Sequence, residues 1–479
     1  MITVIGGGPA GAAASLMLAR LGHDVELITK AGREQTLVVS LPPSCAKLFD
    51  ALGLTEDIDR AGFIRSTGNT VWWGGSGARV EAFAGDARGW QLDVGRLSAI
   101  ITKQAIAAGA RHQHRMVVDV PRGFVLDCSG RSGVIARARH VRRQDEARTV
   151  ALVGEWRRKT SWAVPDETHT LIESYDDGWM WSVPGGDGVR HVAAMVDPQR
   201  SDLARTGSAK QVYLAEIRKT RVFRDLVAEA SLEDGPWGWD ATQYHAIAYA
   251  GDDWLLVGDA GSFIDPLSSA GVKKALASAW LAAITVNTCM KSPSMRAHAV
   301  AFFDAREREI ATHLARESRR FLADAAGSHR HAFWEDRTDV PPVEIGERDA
   351  VRQASERLRT EDGFCAARAE AVSIEHRPCI RADEIVLEPH VVTDDHPRGI
   401  RHVCGINVVA LIELAPAASD VPQLYETYVD TVGPAPLHDF LFALATAIAR
   451  RWLVSEWPQK KSRATANSVT AAERTEGSE

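Results

Sequence analysis

A chain of 479 residues with 45% hydrophobic and 25% charged residues has an ordinary globular composition and is too long for one compact core, so two or three domains are expected. A formal charge of −7 removes any electrostatic reason to seek nucleic-acid phosphates. Six scattered cysteines without C-x-x-C or His/Cys zinc spacing argue against a disulfide framework and a structural metal. No apolar run reaches bilayer length and no basic-then-apolar leader opens the chain, so the expectation is a cytoplasmic protein with no membrane or nucleic-acid partner.

Taken in order, residues 2–6 (Ile-Thr-Val-Ile-Gly) read as a short buried strand, residues 9–21 as a helix with a small-residue face, and residues 23–29 as a second strand. Such a β-α-β unit requires a parallel sheet. Residues from about 140 to 250 change character. Strand-like runs at 149–155 and 191–196 are broken by Gly and Pro turns. A strand, loop and helix recur over 254–283, and a charge-patterned helix follows over about 292–325. From about 380, a hairpin is expected with strands 385–393 and 400–406 and a wide turn at 394–399, then helices near 421–432 and 436–452. Residues from about 460 are small and polar and read as a disordered tail.

Gly6-Gly7-Gly8-Pro9-Ala10-Gly11 contains G-x-G-x-x-G between the first strand and helix. In that context Gly6 permits a tight turn, Gly8 a close approach to pyrophosphate, and Gly11 close packing of helix on sheet, while the helix start offers N–H groups to phosphate. The acidic residue usual at the end of the second strand is absent, its place taken by Thr29 followed by Lys30. Val125 to Gly133, with Asp127 and Gly130, resembles the segment beneath the adenosine half of FAD in FAD hydroxylases. Trp254 to Ala260 resembles the one whose aspartate, here Asp259, holds the ribityl chain. The loop from Gly261 to Gly271 resembles the one lying on the flavin ring, which puts Pro266, Ser269, Ala270 and Gly271 there.

Gly178-Trp179-Met180-Trp181-Ser182-Val183-Pro184 resembles the W-x-W-x-[IV]-P signature of flavin-dependent halogenases, and the resemblance implies that Trp179 and Trp181 wall the flavin from the substrate. The same i, i+2 spacing arises on any buried strand face. Those halogenases carry a lysine in a G-F-x-x-K-x-G segment. Here Gly62 to Gly68 places Ser66 at that position, with Arg65 directed to the other side of the strand. Serine forms no chloramine and gives no cationic donor. The family's G-E-S-L-P-P appears as Val38 to Pro43, without its Gly and Glu.

The expected fold class is therefore α/β. It comprises a Rossmann-like FAD-binding domain (1–140 and 250–330), an inserted mixed-sheet substrate domain (141–249 with about 40–90), a helical connection (331–379), a small α+β, winged-helix-like domain (380–458), and a tail (459–479). The cofactor is FAD, reduced by NAD(P)H or by a partner flavin reductase. The missing lysine turns the reading from halogenation to hydroxylation of an electron-rich ring through a flavin C4a-hydroperoxide. The extra domain resembles leader-peptide-gripping modules, although a packing or dimerisation cap fits its pattern as well. The resemblance then implies the branch that hydroxylates a peptidyl tryptophan in tryptophylquinone biogenesis, with a peptide or small protein as substrate. Halogenation of a small phenol, pyrrole or indole is the alternative and needs another lysine, Lys47 being nearest in sequence. A flavin redox sensor reading DNA through the last domain and a quinone or prenyl reductase fit less of the chain. No catalytic base is evident; His245 and Asp265 are candidates by position alone.

Overall fold

The computed structural model describes residues 1–31, 37–75, 77–203, 208–338, 346–360 and 364–456. Its contacts divide into two units, one of Met1–Pro341 with Ile380–Val386, the other of Pro342–Cys379 with Leu387–Glu479. The expected tail, 459–479, lies outside the described residues.

The first unit holds two principal sheets. One has six strands in the order Ala250–Gly251, Trp254–Leu256, Phe124–Asp127, Ile2–Ile5, Val25–Thr29, Arg111–His114, parallel throughout except for the first pair. Ile2–Ile5 and Phe124–Asp127 are buried along their whole length, as strands covered on both faces must be. Helix Pro9–Arg20 starts on proline at its first turn and buries Ala10, Ala12, Ala13, Ala14 and Ala19. Those small side chains let it pack against both Val94–Ala107 and Gly271–Lys291.

The other sheet is mixed and has seven strands, in the order Ser231–Asp240, Val150–Arg157, Val189–Val196, Gly178–Gly186, Thr170–Tyr175, Gly68–Trp72, Arg79–Ala82. Its single parallel pair joins Thr170–Tyr175 to Gly68–Trp72, drawing an early segment into the inserted domain. One face packs Trp156, Tyr213, Phe223 and Leu226. The other packs Trp73, Trp179, Met195 and the end of helix Arg296–Ala326, with Leu322 and Ala325. Ser66 lies elsewhere, on a three-stranded sheet of Val38–Leu41, Gly89–Asp93 and Ile64–Ser66. The chain thus breaks at Thr67 between two sheets, where the sequence reads as one run.

In the second unit the expected hairpin forms from Glu384–Thr393 and His396–Ile400, but its turn is only Asp394–Asp395, since Thr393 already faces His396. Residues 400–406 are not one strand. Cys404 (φ 48°) and Gly405 (φ 80°) are both left-handed and reverse the chain between His402–Val403 and Ile406–Asn407, the geometry of a type I′ turn. Asn407 then accepts from Val409 and Ala410 N–H, starting a helix, Val408–Leu414, that its β-branched opening hides from sequence inspection. Helices Val421–Val432 and Leu437–Ala449 follow. The stretch expected as a helical connection divides differently. Helix Gly346–Thr360 packs Ala354 and Leu358 into this unit's core with Leu411, Leu424, Phe440 and Trp452, and strand Cys365–Arg368 pairs with Leu453–Glu456. The unit therefore begins near residue 342 and not at 380. Among the described residues no single helix is long and apolar enough to cross a membrane; the last two helices pass that test only as a pair bent by 108°.

Candidate active site

The glycine loop is built by close backbone approach. Gly6 has φ 107°, and a Cβ there would lie 2.3 Å from the Cys128 carbonyl oxygen. A Cβ on Gly11 would lie 1.9 Å from the Gly6 carbonyl oxygen. Gly8 differs, since a Cβ there meets nothing within 4 Å. It borders open space at the start of helix Pro9–Arg20, where free N–H groups favour an anion. Ala10 faces Gly258, whose own Cβ would sit 3.1 Å from that of Ala10, so the 258–260 turn meets the glycine loop directly.

Thr29 packs its methyl group under Gly7. Its Oγ1 bonds His112 Nε2 at 2.9 Å and His114 Nδ1 at 3.0 Å, two imidazoles from the neighbouring strand standing where an acidic side chain is usual. Asp127 serves its own turn, accepting from Ser129 N–H at 3.1 Å and Ile135 N–H at 2.7 Å. The segments on either side are tied by Arg142, which sequence inspection does not single out. Its guanidinium donates to the carbonyls of Gly130, Arg131, Asp259 and Ala260, at 2.6 to 3.2 Å, and stacks over Tyr244. Burial lowers its pKa from the ordinary guanidinium value, against the pull of Tyr244 and Asp127.

Asp259 keeps about a third of its side chain exposed (36%), while Lys274 Nζ holds its carboxylate from behind at 3.1 Å. Lys274 is itself buried and also donates to the Ser262 carbonyl and hydroxyl. The 265–271 loop follows. Asp265 caps it by accepting from Leu267 N–H at 2.9 Å, Ser269 is left-handed at φ 48°, and helix Gly271–Lys291 begins at a glycine with open space beside it. Burial pushes the Asp265 carboxyl up to about 6, opposed by the Leu267 N–H and by Arg337.

Trp179 and Trp181 share one face of the seven-stranded sheet but differ in surroundings. Trp179 is 1% exposed and meets Trp73 edge-on at 6.3 Å, a core position. Trp181 is half-buried and belongs to the same apolar cluster as Trp237, Trp239, Phe263 and Leu267. By cross-strand register Trp237, Val153, Ala193 and Trp181 lie side by side on four adjacent strands, the two indoles half-buried and Val153 and Ala193 between them fully buried. Ser66 is fully buried and donates to the Gly68 carbonyl at 3.1 Å. Arg65 points outward beside it, as expected from strand alternation. Lys47 is exposed on helix Ala46–Ala51, Lys273 bonds Ser44 Oγ at 3.0 Å, and Lys274 is committed to Asp259. His245 is exposed on a separate two-stranded sheet opposite Arg143.

An open anion-favouring helix start, a carboxylate held half-exposed by a buried lysine, and a loop opening at Gly271 together fit the pyrophosphate, ribityl chain and ring of FAD. A family model, glucose inhibited division protein A, matches residues 1–64. A tryptophan 2-halogenase of Chondromyces crocatus is 30% identical over 346 residues, covering 63% of this chain and 64% of that one. In sequence the chain is therefore similar to flavin-dependent halogenases over about its first two thirds. The match to that relative spans less than two thirds of the relative's length. In fold, the chain is similar to CmlS, a flavin-dependent halogenase, with TM-score 0.78 at 20% identity over 94% of this chain and 95% of that one. It is also similar to the peptidyl tryptophan dihydroxylase QhpG, essential for tryptophylquinone cofactor biogenesis, with TM-score 0.68 at 23% identity over 94% and 97%. FAD is its cofactor.

Asp259→Ala is expected to weaken FAD binding about 10- to 100-fold, the scale of a lost charge-assisted hydrogen bond, while the apoprotein still folds. Flavin fluorescence titration of the apoprotein measures it, and full occupancy in the variant contradicts the role.

Proposed function

We propose that this protein is an FAD-dependent monooxygenase that hydroxylates an electron-rich aromatic ring, a peptidyl tryptophan in the maturation of a protein-derived quinone being the specific substrate. One observation carries the choice over halogenation. The position where the family resemblance expects a lysine is Ser66, fully buried with its hydroxyl spent on Gly68, and the lysines beside the flavin loop, Lys273 and Lys274, are spent on Ser44 and on Asp259 with Ser262.

The chain's residues divide the work. Gly6, Gly8 and Gly11, with the helix start at Pro9 and Ala10, hold the pyrophosphate; Asp259 holds the ribityl chain; Pro266, Ser269, Ala270 and Gly271 border the ring. FAD, reduced by NAD(P)H or by a partner flavin reductase, supplies the two electrons that activate dioxygen for electrophilic attack. Trp181 and Trp237 offer half-buried indole surface for a flat aromatic substrate to lie against. The second unit is the part that fits a peptide grip, consistent with the fold likeness to a peptidyl tryptophan dihydroxylase.

Halogenation is the second reading, favoured by the relative's name. One mass-spectrometric experiment separates the two. Protein, FAD, a reductant and a tryptophan-containing peptide are incubated with and without chloride or bromide. Gain of oxygen mass irrespective of halide is expected; a halide-dependent gain overturns the hydroxylation reading in favour of halogenation.

A further inference from the structure

We infer that Arg142 is a positioning residue for FAD, holding the turn beneath the adenosine half and the turn beneath the ribityl chain at one fixed spacing. The inference rests on the proposal that residues 125–133 and 254–260 take those two halves, and it is independent of what the enzyme transfers to its substrate.

Arg142 opens the short strand Arg142–Gln144, which pairs antiparallel with Tyr244–Ala246. These two strands lie where the chain passes from the six-stranded sheet to the seven-stranded one and where it returns. From that ribbon the guanidinium reaches both turns. On the adenosine side, Nη1 donates to the Arg131 carbonyl at 2.7 Å and Nη2 to the Gly130 carbonyl at 2.8 Å. On the ribityl side, Nε donates to the Ala260 carbonyl at 3.0 Å, and Nη2 to the carbonyls of Ala260 at 2.6 Å and Asp259 at 3.2 Å. Tyr244 carries the guanidinium over its ring at 4.4 Å and donates its own hydroxyl to the Asp259 carbonyl at 2.6 Å. Gly133 leaves the guanidinium its place, since a Cβ there would lie 2.4 Å from Cζ. Asp259 is thus fixed at both ends, its carbonyl by Arg142 and Tyr244 and its carboxylate by Lys274.

The choice of partners separates this arginine from an ordinary ion pair. A cation withdrawn from water is normally paired with a carboxylate. Arg142 is half-buried, and among the described residues no carboxylate pairs with it. Its hydrogen bonds all end on main-chain carbonyls of two turns remote in sequence. A planar guanidinium fixes the distance between such acceptors, which a flexible ammonium does not. That distance matters to a two-part ligand. Once one half of FAD is bound, the other binds as an intramolecular event, with a gain that depends on the subsites matching the span between the halves. A brace between the subsites therefore raises affinity for the whole dinucleotide without touching either half.

The test titrates the apoprotein with FAD, and separately with its two parts, ADP and riboflavin. Arg142→Lys should weaken FAD about 30-fold while ADP and riboflavin each change less than about threefold. A purely structural role predicts parallel losses for all three ligands. Parallel losses, or FAD bound as tightly as in the wild type, overturn the inference. Should Arg142→Lys fail to fold, Tyr244→Phe keeps the ring under the guanidinium and removes one donor to Asp259. In that variant FAD weakened about fivefold with ADP and riboflavin unchanged supports the brace, and a parallel or absent loss overturns it. Asp259→Ala keeps the two failures apart. Full FAD affinity in that variant strikes down the placement of the cofactor itself, whereas weakened FAD there beside an unaffected Arg142→Lys removes the brace alone.

Discussion

Gly11→Ala is expected to abolish measurable FAD binding, a loss of more than about 100-fold, and to destabilise the first unit by about 1–3 kcal/mol. The added Cβ would lie 1.9 Å from the Gly6 carbonyl oxygen, 3.0 Å from its carbon and 3.1 Å from Cys128 Cβ. The nearest of these atoms is backbone held by the parallel pairing of Ile2–Ile5 with Phe124–Asp127, so no side chain swings aside. The helix start has to retreat instead, taking its N–H groups from the phosphate position. Gly8→Ala is the control that separates packing from ligand. It meets nothing within 4 Å and its φ of −69° suits alanine, so the apoprotein should melt as wild type does. Its methyl group nevertheless occupies the approach of the pyrophosphate and should weaken FAD binding by itself. Equal flavin affinity in wild type and both variants, by titration of the apoproteins, would show that the cofactor's phosphates lie elsewhere.

The same contrast explains how much could be read in advance. The glycine loop was legible because the chemistry is local: a strand, three glycines at fixed spacing and a small-residue helix occupy nineteen consecutive positions, 2–20. Asp259 and the 265–271 loop were legible for the same reason. The row of Trp237 and Trp181 was not, because it is a product of register: the two indoles come onto one row only when Val150–Arg157 and Val189–Val196 lie between them, and nothing local to Trp237 announces that pairing. Arg142 was invisible because its partners are backbone carbonyls, which carry no sequence signature. The last unit misled in a different way: Val408-Val409-Ala410-Leu411-Ile412 has strand-like composition, and the turn at Cys404–Gly405 with the Asn407 cap decides for helix.

Glu307→Gln should remove a pH dependence from folding. Glu307 lies on helix Arg296–Ala326, 1% exposed, with Lys274 and Ser278 of helix Gly271–Lys291 near its carboxyl. Burial pushes that carboxyl from 4.5 up to about 7, the lysine and the serine pulling it partly back. The folded-state pKa is raised, so between about pH 4.5 and 7 the folded protein holds a proton that the unfolded chain has released. The stability this group contributes is complete below pH 4.5, falls as pH rises through 7, and changes no further above it. At about 1.36 kcal/mol per pH unit, the rise from 4.5 to about 7 amounts to roughly 3 kcal/mol. Glutamine matches the shape of the protonated acid and titrates nowhere. The variant should therefore equal the wild type near pH 5 and exceed it by a few kcal/mol at pH 8, with Lys274 still paired to Asp259. Urea unfolding at pH 5.5, 7 and 8 measures the difference, and parallel stability curves for the two proteins would mean that Glu307 is ionised in the fold, its charge answered by Lys274.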